Sequence, residues 1–188
     1  MISVVRVVEK FEALLSRLVD SSKLLPEYVF KIKKAGANIV EREVLYEDDF
    51  LRDLFSISRG LGATKIFFCF VLVLEDGGHE VSGVIDMDVL DDASKYLDVL
   101  VSSYEKHIFE GGRARVIAFS DTADWALYIE MLEEFGVFVW MEGLNGILKK
   151  LRGDYFVGRE YLERQVRRGV FKKYYMERLL SVYESKVE

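Results

Sequence analysis

Residues 66–74, Ile-Phe-Phe-Cys-Phe-Val-Leu-Val-Leu, form an unbroken apolar run of strand length. A run this short cannot span a membrane, and it offers water no polar side. It therefore reads as an interior strand buried on both faces, which demands a neighbour on each edge and a packed layer above and below. Full burial is expected of Phe68, Val71 and Val73. The first neighbour follows directly. Asp76-Gly77-Gly78-His79 forms a turn, and residues 81–89 then alternate. Val81, Gly83, Ile85, Met87 and Val89 point one way, and Glu80, Ser82, Val84, Asp86 and Asp88 the other. Two carboxylates on one face of an interior strand mark this hairpin for attention.

Downstream, the pattern predicts a helix over 92–109, a strand over 115–119, a helix over 122–135 and a strand over 137–141. Ser120-Asp121 supplies capping residues for the second helix and Gly136 its terminator. A helix joining two strands implies parallel pairing through a right-handed crossover, and hence a mixed sheet. Upstream, Val4, Val8, Phe11, Leu15 and Leu18 recur at the spacing of one buried helical face over 4–19. Pro26 suits the first turn of a helix over 27–35, with Gly36 as its cap. A strand over 39–46 and a helical connection over 47–59 complete the body. The tail carries two helical patterns, 160–168 and 172–186, separated by Gly169. The second aligns Tyr175, Met176, Leu179, Leu180 and Tyr183 on one face. Residues 153–158 form the single plausible boundary. The reading is an α/β domain over 1–152, with 1–25 as a helical extension, and a basic helical appendage over 153–188.

Charge divides along the same line. The chain of 188 residues has a net charge of −6, but residues 149–188 hold 11 Lys and Arg against 6 Asp and Glu, a net of +5, leaving −11 on residues 1–148. An acidic body with a basic tail points to nucleic-acid contact. No apolar run reaches the ~18 residues of a membrane span. Arg6, Glu9, Lys10, Glu12 and Arg17 are incompatible with a signal-peptide core, so a cytoplasmic protein without membrane association is expected. The single cysteine, Cys69, excludes an intramolecular disulfide and reads as a core residue. Asn38, Asn145 and Gln165 are the only side-chain amides, against 58 charged residues (26 basic plus 32 acidic), a bias that matches thermophilic proteins.

From Pro26 the expected order is helix, strand, strand, strand, helix, strand, helix, strand. That order resembles the restriction-endonuclease-like superfamily, the nucleases with a PD-(D/E)XK signature, and especially its Mrr-like branch. Residues 115–126, Arg-Val-Ile-Ala-Phe-Ser-Asp-Thr-Ala-Asp-Trp-Ala, resemble that branch's strand entering a helix through a small polar turn. Residues 135–144, Phe-Gly-Val-Phe-Val-Trp-Met-Glu-Gly-Leu, look like its closing strand and the start of a short terminal helix. Residues 27–36 are similar to the helix before its first core strand. The resemblance covers about residues 26–150 and implies a restriction-endonuclease-like mixed sheet flanked by helices, here with a C-terminal helical hairpin. It also implies metal-assisted hydrolysis, with an Asp on one hairpin strand and an acid-x-Lys on the next. Asp86-Met87-Asp88 falls where the acid-x-Lys is expected, so Asp86 matches the acid and Asp88 replaces the lysine. The preceding strand offers Lys65 and then only apolar residues, and Glu27 stands where some members carry a helix acid. A degenerate active site is the expectation.

The candidate residues then sort by chemistry. Asp86 and Asp88, with Cα atoms ~6.5 Å apart on one strand face, are the candidate metal ligands. Asp91 or Asp92 could add an oxygen for Mg²⁺ or Mn²⁺. The competing view is that this Asp run caps the next helix. His79 and His107 read as an exposed turn residue and an exposed helix residue. In the tail, Arg159, Arg164, Arg167, Arg168, Lys172 and Lys173 interleave with Tyr161, Phe171, Tyr174 and Tyr175. Cations of this kind neutralise phosphates, and the rings stack on unpaired bases. The tail's two helices also suit a helix-turn-helix or a dimer contact.

The function expected is a nucleic-acid-binding or scaffolding protein on an inactive nuclease-like domain, needing no cofactor, with DNA or RNA or a partner nuclease subunit as its target. Two alternatives stand beside it. One is a divergent nuclease using Asp86 and Asp88 with Mg²⁺ or Mn²⁺. The other is an interaction module that forms a homodimer through its C-terminal helices.

Overall fold

The structure, a computed structural model, describes residues 11, 13–20, 22–31, 36–74, 79–109, 113–130, 135–141, 144, 151 and 153–183. Its centre is a six-stranded sheet in the order β1-β6-β5-β4-β2-β3. The strands are β1 (Gly36–Glu41), β2 (Lys65–Val73), β3 (His79–Asp88), β4 (Arg113–Ser120), β5 (Trp125–Glu130) and β6 (Phe135–Trp140). Every pairing is antiparallel. The apolar run forms β2, held between β3 and β4 as its composition requires. Phe68 and Val71 are buried, while Val73, near the strand's end, is only half-buried.

The largest departure from expectation lies at 122–135. Residues 125–130 form β5, which pairs with both β4 and β6, so the expected helix and its parallel crossover give way to an antiparallel meander. The sheet is consequently not mixed. A short run such as Trp-Ala-Leu-Tyr-Ile satisfies a buried strand and a buried helix equally, and only its neighbours decide. Trp125 to Ile129 are all buried, which is the pattern of an interior strand. The expected terminator, Gly136, serves the sheet instead. A Cβ there would strike the Ile129 side chain and the Tyr128 carbonyl.

The N-terminal region departs too. Residues 13–18 are helical (α1), but the expected helix over 27–35 is absent where it is described. Val19 and Phe30 form an antiparallel bridge instead. Asp20 N–H donates to the Val29 carbonyl, and Lys31 N–H to that of Leu18. Pro26 thus sits in a turn. Residues 32–35 lie outside the described residues. Gly36 is no helix cap: it opens β1 opposite Trp140, whose ring occupies the space of a Cβ. The strand expected over 39–46 ends at Glu41 and gives way to a 3-10 turn, Arg42–Tyr46, that buries Val44 and Leu45.

The remaining elements follow the sequence. They are α2 (Asp48–Gly60), α3 (Ser94–Phe109), α4 (Arg159–Arg167) and α5 (Lys173–Tyr183). Helices α2 and α3 cover one sheet face, where Leu51, Leu54, Phe55, Leu100 and Tyr104 pack on Ile66, Phe68, Phe70, Val116, Leu127 and Phe138. Trp125 donates its indole N–H to Ser58 Oγ at 3.0 Å, so neither buried polar group is stranded. The other face carries Phe67, Cys69, Ile117, Tyr128 and Val137. Phe11 and Leu18 cover it together with Leu162, Met176, Leu179, Leu180 and Tyr183 of α4 and α5. Tyr183 fixes α5 to the N-terminal loop: its hydroxyl accepts from Val29 N–H at 2.9 Å and donates to the Glu27 carbonyl at 2.7 Å. Among the described residues no helix is long and apolar enough to cross a membrane.

Candidate functional site

β3 lies at the sheet's edge, not in its interior as expected. That explains how Glu80, Ser82, Val84, Asp86 and Asp88 can all be exposed. A register shift between Phe70 and Val71 turns the start of the strand over. Ile85 and Met87 therefore pack with the first core, while Val81 packs with the second.

Around Asp86 and Asp88 the fold assembles a charged end of the sheet. Lys65 opens β2 opposite Asp88, and its Nζ lies 2.6 Å from Asp86 Oδ2. The motif lacks a lysine in sequence, yet the neighbouring strand delivers one in space. The register that brings Lys65 and Asp86 together passes through an irregularity between Phe70 and Val71, which local sequence pattern does not specify. Asp88 Oδ1 accepts from Leu90 N–H at 2.9 Å, so this carboxylate shapes the turn after the strand. Tyr96 ties that turn to α3: its hydroxyl accepts from Asp88 N–H and donates to Asp91 Oδ2 at 2.6 Å. This hydrogen bond, followed by Lys95, holds the Asp91 carboxyl below its ordinary range. Hydrogen bonds from Ser94 lower Asp92 likewise. Asp121, expected to cap a helix of its own, receives Thr64 Oγ1–H at 2.6 Å and Thr64 N–H at 3.1 Å. Its carboxylate joins the β4–β5 turn to the start of β2.

These acids do not converge. Among the described residues no three His, Cys, Asp or Glu side chains group closely enough to hold a metal ion. Asp86 is occupied by an ammonium, and Asp88, Asp91 and Asp92 by turn and helix-start hydrogen bonds. That donor set does not fit a hydrolytic Mg²⁺ or Mn²⁺ centre. Glu27, the other acid suggested by the resemblance, pairs with Arg178 Nη2 at 2.8 Å and Nε at 3.1 Å. His107 is not the exposed residue expected. It is 5% exposed, stacks on Phe70 at 4.5 Å between ring centroids, and lies 2.6 Å through Nδ1 from the Ser103 carbonyl. Of His79 only its place at the start of β3 is described. Cys69 is buried in the core, and burial pushes its thiol well above the ordinary range.

The basic tail is organised differently. Helix α4 ends in a tight reversal. Gly169, at φ +77°, lets its own N–H reach the Val166 carbonyl and the Val170 N–H reach that of Gln165. This paired bonding is the Schellman ending, in which a left-handed residue satisfies the helix's last carbonyls. The Lys172 carbonyl, just before α5, then accepts from Tyr175 N–H at 3.0 Å. Arg159, Arg164, Arg167, Arg168, Lys172 and Lys173 are all exposed. Arg164 lies over the Tyr161 ring at 5.7 Å and Lys173 pairs with Glu177 at 3.5 Å. Arg167, Arg168 and Lys172 form no ion pair among the described residues.

The interleaved aromatics separate into two kinds. Tyr161 and Phe171 pack edge-on against Phe135, and Phe171 also packs on Tyr175. Tyr174 alone turns outward, 66% exposed, with the half-exposed Val170 in the same turn region. No protein-family model, curated protein or solved structure matches this chain.

Proposed function

We propose that this protein binds nucleic acid through the junction of α4 and α5 and does not hydrolyse it. The reading rests on one observation: Arg167, Arg168 and Lys172 are exposed in a hydrogen-bonded turn with no carboxylate partner among the described residues. Guanidinium and ammonium groups left in this state contact phosphates without first breaking an internal pair. The net charge of −6 makes non-specific attraction of the whole molecule to a polyanion unfavourable, so a local patch has to carry the contact. For the homodimer alternative, Met176, Leu179, Leu180 and Tyr183 are spent inside the chain's own core, which leaves Val170 and Tyr174 as the exposed large apolar side chains among the described residues of this tail.

The test is fluorescence anisotropy with labelled oligonucleotides at several salt concentrations. Binding should weaken steeply as salt rises. In the double variant Arg167→Ala/Arg168→Ala the log–log slope should fall by about 1.4 to 1.8, from roughly 0.7 to 0.9 per phosphate lost. Absent or salt-independent binding would sink the proposal. The nuclease alternative forecasts Mn²⁺-dependent cleavage that disappears in Asp86→Ala, and that result would replace this reading with the enzymatic one.

A further inference from the structure

We infer that the ligand of this junction is single-stranded nucleic acid, with Tyr174 as a stacking platform for an unpaired base. The inference rests on the nucleic-acid reading above and sharpens it to a substrate class. Its first support is the sorting of the aromatics. The tail places four rings among its cations, and the fold turns Tyr161, Phe171 and Tyr175 toward Phe135 or one another. Tyr174 remains, two-thirds exposed, directly after Lys172 and Lys173 in sequence and six residues after Arg168, across the turn that joins α4 to α5. Exposing a tyrosine to this extent forgoes the burial that most large aromatic side chains obtain. A flat ring among phosphate-binding cations is the arrangement by which proteins hold unpaired strands, because every base has a face to stack.

The second support is what α5 would present to a duplex. A recognition helix lays its outward side chains in a groove lined by phosphates. Beyond Tyr174 the exposed positions of α5 are Glu177, Arg178 and Ser181. Glu177 would face phosphates with a like charge, and Arg178 is engaged by Glu27. The inward positions are fully used by the core. The cations therefore cluster at the turn and the start of α5 and do not run along its length. With the exposed Tyr174 ring following Lys172 and Lys173, that footprint offers an unpaired strand both a stacking face and phosphate contacts.

The full-length chain is titrated with a labelled single strand of about 16 nucleotides, the upper end of a compact single-strand site, and with the duplex of the same sequence. The single strand should bind more tightly. Tyr174→Ala should weaken it about 5- to 150-fold, the range expected for one lost base stack, while Tyr174→Phe retains most of the affinity. Duplex affinity should be unchanged in both variants. Tyr174→Trp adds an exposed indole to a chain whose Trp125 and Trp140 are buried, and its fluorescence should be quenched by the single strand alone. Because Tyr174 is exposed, each variant should melt as the parent does. Salt-dependent binding that Arg167→Ala/Arg168→Ala weakens but Tyr174→Ala leaves intact, with duplex bound as tightly as single strand, overturns this inference and leaves the broader reading standing. Binding insensitive to the arginine pair overturns both.

Discussion

The two charged regions of this molecule use the same kinds of side chain in opposite ways. At the end of β3 the acids are spent internally: Asp86 on Lys65, Asp88 on Leu90 N–H, Asp91 on Tyr96 and Lys95, and Asp121 on Thr64. At the α4–α5 junction Arg167, Arg168 and Lys172 project outward with no such partner among the described residues. A charge's usefulness to a ligand depends less on its exposure than on what already occupies it. From sequence, Asp86 and Asp88 were the candidate metal ligands of a degenerate site, with the Asp run capping the next helix as the competing view. Its geometry is that of hydrogen bonds organising turns.

The comparison can be broken most forcefully with a third kind of charge. Arg115, 3% exposed, faces Glu130 across β4 and β5 at 3.7 Å and lies 6.0 Å above the Tyr128 ring. Removing one partner of a buried pair leaves the other uncompensated, so Arg115→Ala should cost about 3 kcal/mol or more of unfolding free energy in urea titration. The exposed pair Arg167→Ala/Arg168→Ala should change stability by less than about 0.5 kcal/mol. If the exposed variant destabilises as much as the buried one, the junction is structural and the proposed function loses its basis.

A smaller effect is expected where the tail meets the body. Tyr183→Phe removes the acceptor for Val29 N–H and the donor to the Glu27 carbonyl, in a place where Val29 is completely buried. Leaving that amide unsatisfied should cost about 1–3 kcal/mol. A neutral result would mean that α5 is loosely held and that the junction it anchors is not a fixed surface.

Weaker still is the surface pair at the sheet's end. Asp86→Ala should change stability by no more than about 1 kcal/mol, since Lys65 and Asp86 are both partly exposed. Mn²⁺ should not raise the parent's melting temperature, because a ligand stabilises only by binding the folded state. A clear Mn²⁺-dependent rise that Asp86→Ala abolishes would restore the metal-site reading.

The smallest effect is a pH dependence. Asp91 titrates below its ordinary 3.8 in the folded chain because Tyr96 and Lys95 favour its charged form. A depressed folded value means that its contribution is fully present above about pH 4 and is lost as pH falls through the folded value. Asp91→Asn should flatten this acid limb by lowering stability slightly near neutrality, where the carboxylate contributes, and leaving it unchanged at the acid end, where Asp91 is already protonated. An unaltered acid limb would show that the turn at 88–96 does not depend on that carboxylate.

Much of this architecture was legible before folding. The apolar run, its hairpin partner, α2, α3 and the two tail helices follow from local periodicity and from glycine punctuation, whereas Pro26, read as a helix start, lies in a turn. The misreadings have specific physical origins. Ser120-Asp121 looked like a helix cap, but Asp121 bonds Thr64, 57 residues earlier in sequence. Gly36 and Gly136 looked like helix terminators, whereas each is small because a cross-strand or neighbouring side chain fills the space over it. Of the candidate site, the six tail cations were visible as a composition bias, and their exposure follows from the apolar stripe that buries the opposite side.

The sequence by itself determined which segments must be buried and how charge divides along the chain, because hydrophobic periodicity and net charge are local sums. Tertiary structure alone decided three things. It made residues 125–130 a strand, since antiparallel partners were available on both sides. It set Lys65 against Asp86, since register across a hairpin with a bulge depends on distant pairing. It left Tyr174 outside while Tyr161, Phe171 and Tyr175 packed inward. Each of these is a choice among equally apolar or equally charged alternatives, and only the position of neighbours far along the chain separates them.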